Sequence, residues 1–97
     1  MNEIIVRAIK EKRLLSFTYD ELPRVVEPHS YGHTTADHEV LCCYQVKGSG
    51  VHAEGDPWHL IHVPKISSLS LLQETFSAAR PGYKRRDKRM LMIYSEI

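Results

Sequence analysis

The apolar residues of this chain change their spacing at Leu14, and that change limits the folds open to it. Upstream, Ile4, Ile5, Ala8 and Ile9 recur at helical spacing, with Asn2 placed as an N-cap and Glu3 in the first turn, where the helix dipole favours an anion. Lys10, Lys12 and Arg13 gather at the other end, where cations are favoured, so the helix is expected to stop near Lys12. A helix this short frays alone, so its apolar stripe must cap something. From Leu14 the period is two. Leu15, Phe17 and Tyr19 share one face of a strand, and Leu14, Ser16, Thr18 and Asp20 share the other.

Further strands follow at hairpin spacing. Asp20 to Pro23 forms a turn, and Arg24 to Tyr31 is an extended segment in which Pro28 marks a strand end, an edge or a bulge. Gly32 to Asp37 is turn-like, and Glu39 to Val46 has the β-forming content of a central strand. Lys47 to Pro57, with three of the five glycines, is expected to be an exposed, mobile loop. Trp58 to Val63 and Ile66 to Leu72 complete five strands, separated by a break at Pro64 and Lys65. Five short strands behind a capping helix favour a small closed barrel, because closure removes exposed sheet edges. Residues 1–75 are therefore assigned to a mainly β barrel domain with its helix, and residues 76–97 to a C-terminal extension that is basic and then apolar. Ser77 to Gly82 has the composition of a linker. The closing MLMIYSEI, from Met90 to Ile97, is expected to pack back on the barrel or to pair with a second copy, which makes a homodimer the expected assembly.

Composition excludes several functions. The chain has 97 residues, enough for one domain. Its formal net charge is +1, so indiscriminate polyanion binding is excluded and any nucleic-acid role must come from local clustering. The apolar runs are too short to span a bilayer, and Glu3 and Arg7 interrupt what would be a signal-peptide core; a cytoplasmic protein is expected. Cys42 and Cys43 are neighbours on a strand and point to opposite faces, so they neither bond to each other nor share a metal.

AIKEKRLLSFTYDELPRVVEPHSYG, then EVLCCYQV, then WHLIHVPKISSLSLL, resembles the WYL domain of bacterial transcription regulators over roughly Ile4 to Leu72. The resemblance lies in the order of parts: a helix ending in a basic cluster, a strand ending in Tyr, an Arg before a Val-Val-x-Pro strand, an apolar third strand, and a fourth strand running into a basic-Ile pair. It implies an Sm-like, SH3-type barrel that binds a ligand, with a nucleotide or single-stranded nucleic acid as the usual class. The name-giving Trp-Tyr-Leu falls on Glu39-Val40-Leu41, the fourth-strand basic residue is His62, and the final pair is Lys65-Ile66 after Pro64. These replacements lower the fixed charge of the implied pocket, since lysine is a point charge and histidine is mostly neutral at pH 7. Such domains usually follow a helix-turn-helix. The dozen residues before the first strand are too few for one, so a separate DNA-binding regulator is the expected partner.

Tyr19, Arg24, His29, His62 and Lys65 are the polar positions this resemblance marks for ligand binding: cations for an anionic group and an aromatic face for stacking. Lys84, Arg85, Arg86, Lys88 and Arg89, five cations around Asp87, form a second candidate contact for nucleic acid, although such runs are more commonly solvated surface. Six histidines invite a metal, but His59 and His62 fall on opposite faces of a strand and no zinc signature is present, so neither metal nor cofactor is expected. No nucleophile is flanked by a recognisable base or oxyanion motif, and no catalytic residue is assigned. The expected function is a non-enzymatic sensing or nucleic-acid-binding module in regulation. The alternative is an interaction module that pairs through a sheet edge and the C-terminal strand.

Overall fold

One long strand organises the chain. The computed structural model describes residues 1–48 and 55–97; most of the expected glycine-rich loop lies outside the described residues. Helix α1 spans Glu3–Glu11. The strands are β1 (Arg13–Tyr19), β2 (Leu22–Thr34), β3 (Glu39–Gly48), β4 (Trp58–His62), β5 (Ser67–Thr75) and β6 (Met90–Glu96), with a 3-10 turn at Val63–Lys65. All pair antiparallel in one sheet ordered β4-β3-β2-β1-β5, and β6 also pairs with β2. The protein is thus mainly β, with one helix and six strands rather than five.

The helix begins and ends as its residues dictate. The Asn2 side chain accepts hydrogen bonds from the Ile4 and Ile5 amides at 3.0 and 3.2 Å. Lys12 closes the C-terminus in the left-handed region at φ 50°. Ile5, Ala8 and Ile9 are buried, whereas Ile4 lies on the flank and is exposed. The Tyr31 hydroxyl donates to Glu39 and accepts from the Asn2 amide, which fixes the start of the helix to β2 and β3.

Asp20 and Glu21 both have positive φ, at 51° and 64°, between the paired Tyr19 and Leu22. That is the backbone of a two-residue hairpin whose twist matches the flanking strands. The turn is therefore tighter than expected, and β2 starts at once.

β2 runs 13 residues because its two halves have different partners on the same edge. Leu22 to Val26 pair with β1, Ser30 to Thr34 pair with β6, and β3 lies along the other edge. The register against β3 slips between Pro28 and Ser30, where Pro28 faces Cys43 and Ser30 faces Cys42. Pro28 has no amide hydrogen to give a ladder, and His29 is the extra residue of the bulge. The slip reverses the alternation, so Val26 and Tyr31 face the same core.

The two faces of the sheet carry separate cores. Ile5, Ala8 and Ile9 of the helix pack on Leu15, Phe17, Val26, Tyr31, Leu41, Cys43 and Ile61. On the other face Val40, Cys42 and Met90 cluster with Trp58, Leu60 and Ile93. The neighbouring cysteines divide between the two cores as strand alternation requires, and both are free. The apolar tail packs back on its own sheet. Its approach to β2 depends on Gly32, where a Cβ would lie 2.0 Å from the Met92 carbonyl oxygen. Gly32→Ala is expected to cost about 1–3 kcal/mol by forcing β6 away, seen as a lower denaturant midpoint with fast amide exchange confined first to residues 90–96.

Candidate anion-binding site

Arg24 enters the inner face of the sheet opposite Phe17 on β1. The residue is 8% exposed. Nε donates to the Tyr19 carbonyl at 3.4 Å, Nη1 donates to Gln45 Oε1 at 3.2 Å, and the guanidinium lies 5.5 Å from the centre of the Tyr19 ring. These acceptors are neutral. Among the described residues no carboxylate forms an ion pair with Arg24. A buried cation without a counter-charge is costly unless something completes it.

His59 sits beside this charge. It alternates with Trp58 and Leu60 on β4, so it shares the inner side with Ile61. Its Nε2 is buried without a hydrogen-bond partner. Burial, and then the positive charge of Arg24, push its pKa below the ordinary 6.5, so the ring is neutral at pH 7. One orphan nitrogen and one guanidinium that no described carboxylate pairs thus occur in the same region.

Tyr19 links Arg24 to β4. Its hydroxyl accepts a hydrogen bond from the His62 amide at 3.2 Å. The His62 ring lies 4.9 Å from that of His38, and both line a cleft of about 350 Å³ with Lys65, Pro64, Asp37 and Glu39. Arg24 meets Tyr19, Tyr19 meets the His62 backbone, and His62 shares the cleft with Lys65, so four of the five positions marked in the sequence are linked in series, although Arg24 and Tyr19 do not line that cleft.

His29 is not among them. As the bulge residue it turns to the opposite face and is fully buried among Trp58, Phe76 and Tyr83, with ring centres 4.8, 5.6 and 5.1 Å away. Its Nδ1 is 2.8 Å from the Glu27 carbonyl, which only accepts, so Nδ1 carries the hydrogen. Nε2 then accepts from the Arg80 amide at 3.1 Å. Both nitrogens are used inside the protein, and none is left for a ligand. Arg80 also grips the nearly buried Glu27 carboxylate through Nε and Nη2 at 2.8 and 2.9 Å, and lies over the Tyr44 ring. The segment with linker composition is in fact clamped to β2 and β3.

The basic run occupies this same outer face. Lys84, Arg85, Arg86, Lys88 and Arg89 border a cleft of about 580 Å³ whose other walls include Trp58, Leu60 and Tyr83. Neither cysteine offers a nucleophile: both are buried, and loss of hydration raises the pKa of each. The described residues contain no group of three or more side chains placed to hold a metal, and no helix long and apolar enough to cross a membrane. Glu27, Gln45 and Arg80 are polar residues here that no sequence motif marks, and His59 figures in the sequence only as a metal ligand that strand alternation rejects. Gln45 and Glu27 each sat inside a strand pattern as a buried polar exception, the one signal that would have marked them.

No protein-family model matches the chain, and searches among curated proteins and solved structures found no significant match.

Burial is the largest influence on His29 and holds its pKa below 6.5, against the raising effects of the Glu27 carbonyl and charge and with a smaller lowering effect of Arg80. The unfolded chain takes up this proton near pH 6.5 and the folded chain does so only at lower pH, so stability falls as pH drops below 6.5 and is unaffected above about 7. Urea midpoints at pH 7.5 and 5.5 are expected to show this loss, and His29→Gln is expected to reduce it, leaving the part contributed by His59.

Proposed function

We propose that this chain is a non-enzymatic, WYL-like regulatory module that captures an anionic, phosphate-bearing ligand, a nucleotide or an oligonucleotide, at the row formed by Arg24, Tyr19, His62 and Lys65. The carrying observation is the buried Arg24, whose hydrogen bonds among the described residues end on neutral oxygens and which no described carboxylate pairs. A phosphate oxygen would supply the missing charge, with the orphan His59 Nε2 beside it. Lys65 would add a point charge at the rim, and the Tyr19 ring an apolar wall.

The sheet is taken here as an SH3-like, Sm-like barrel. In its support, a single 3-10 turn joins the outermost strands β4 and β5, and the Tyr19–His62 hydrogen bond draws the end of β1 to β4. In this reading the ligand sits at the barrel mouth, in the cytoplasm, and a separate DNA-binding regulator carries the response.

A second reading rests on β6, where Leu91 and Met92 are 76% and 55% exposed. It makes the C-terminal strand a dimerisation edge. Leu91→Lys with Met92→Lys would then convert a dimer to a monomer in sedimentation, with ligand affinity retained.

The test of the first reading is titration with ATP, GTP and a short oligothymidylate, followed by Trp58 emission and calorimetry. Arg24→Gln, which keeps a polar group near Gln45, is expected to weaken binding by about tenfold or more, in line with loss of a charge-assisted hydrogen bond of about 1.5–3 kcal/mol. Lys65→Gln is expected to have a smaller effect, as an exposed cation. Unchanged affinity in the double variant for every probe that binds would sink the proposal.

A further inference from the structure

The five cations from Lys84 to Arg89 are not a loose solvated run. The loop that carries them is tied down at several points. The Trp58 indole N–H donates to the Pro81 carbonyl at 3.2 Å, and the chain then passes Gly82, where a Cβ would lie 3.2 Å from that same nitrogen. The Tyr83 hydroxyl reaches the carbonyls of His29 and Ile97. Arg86 takes a left-handed backbone at φ 54°, and its amide donates to Glu96 Oε2 at 3.0 Å. Arg85 lies 3.5 Å from the other oxygen of Glu96, and Arg89 engages Asp87 through Nε and Nη2.

These contacts use two carboxylates to shape the loop and leave three cations over. The side chains of Lys84, Arg86 and Lys88 have no carboxylate within ion-pair distance among the described residues. The lining of the cleft below them has five cations against the two carboxylates Asp56 and Asp87, a net charge of +3 in a protein whose total is +1. Its volume of about 580 Å³ falls within the usual range of about 300–1,000 Å³ for bound small molecules. Its walls are aromatic and aliphatic. Trp58 and Tyr83 are inclined by only 19° with ring centres 6.3 Å apart, and Leu60 adjoins them.

We propose that this cleft is a second binding site, distinct from the barrel-mouth row, and that it takes the sugar-phosphate backbone and an unstacked base of a single-stranded nucleic acid. Free cations on a fixed rim meet phosphates, and the concave aromatic wall receives one base at a time. Paired bases in a duplex are stacked on their neighbours and cannot enter such a recess. An acidic protein segment without aromatic side chains would satisfy the rim but not the wall. The inference stands apart from the reading of Arg24: His59 borders both sites, but none of the cations of this rim belongs to the Arg24 row.

The experiment is anisotropy of a labelled oligothymidylate of about twelve nucleotides, a length within the usual site sizes, on the full chain at about 50 and 200 mM salt. Binding is expected to be salt-sensitive, and Lys84→Gln with Arg86→Gln and Lys88→Gln is expected to weaken it about tenfold or more and to flatten the salt dependence by about two ion equivalents. Lys84→Arg with Lys88→Arg, which keeps the charge, should retain binding. Because Arg86 has a special backbone, Lys84→Gln with Lys88→Gln alone repeats the test without touching it, and thermal melting checks that each variant is folded. Unchanged binding in the folded neutral variants would overturn the site. So would duplex of the same length binding as tightly, polyglutamate competing as well as the oligonucleotide, or an absence of salt-sensitive binding in the original chain.

Discussion

The missing amide hydrogen of Pro28 is the constraint on which the rest of this structure depends. A strand that must lose one ladder hydrogen bond bulges there, and His29 becomes the extra residue. The bulge divides β2 into a half that pairs with β1 and a half that pairs with β6. It also reverses the alternation beyond it, so that Tyr31, five residues after Val26, faces the same helix-covered core. Glu27 and His29 lie on the opposite face, where His29 meets Trp58 and Glu27 holds Arg80. Gly32 completes the arrangement by letting the Met92 carbonyl come close.

Three arginines on this scaffold meet three different electrostatic fates. Arg80 pairs in two-pronged fashion with the nearly buried Glu27 carboxylate, so its charge is spent on holding the 76–83 segment in place. Arg89 is spent on Asp87. Arg24 is more buried than either and, among the described residues, meets neutral oxygens and the Tyr19 ring but no carboxylate. A paired cation in a partly buried setting is an ordinary structural device, whereas an unpaired buried one lowers stability and needs a reason to persist. That contrast, rather than the number of basic residues, separates structural arginines from a candidate ligand group.

The local pattern was legible in the sequence; the long-range pairing was not. The change of period at Leu14 located the helix and β1, the β-forming run located β3, and neighbour alternation divided Cys42 from Cys43. Pro28 announced a bulge, an edge or a strand end, but not which of these it would be. Without that choice the facing of Tyr31 could not be derived, because one inserted residue moves every later side chain to the other face. The Ser77–Gly82 stretch had linker composition, and nothing local to it shows that Arg80 finds a carboxylate on β2. Pairing over such distances is set by the tertiary fold. Within the candidate site, Tyr19, Arg24, His62 and Lys65 are positions that the family resemblance marks, whereas His59 figures in the sequence only as a rejected metal ligand, because its neighbourhood with Arg24 exists only once β4 lies beside β3.

β4 ties the two candidate sites together with five residues. Trp58 and Leu60 face the basic cleft, His59 faces the inner side near Arg24, and His62 closes the row at the mouth through its amide. A strand has no soft internal hinge, since its ladder fixes each residue relative to the next. The position of the Trp58 ring is therefore coupled to that of the His62 amide by four peptide units, with β3 as their common partner on one side. Two surfaces so joined are separate in chemistry and share a support. Any displacement of β4 by a ligand on one face is a displacement of the wall on the other, and by linkage its energetic cost is felt equally in both directions.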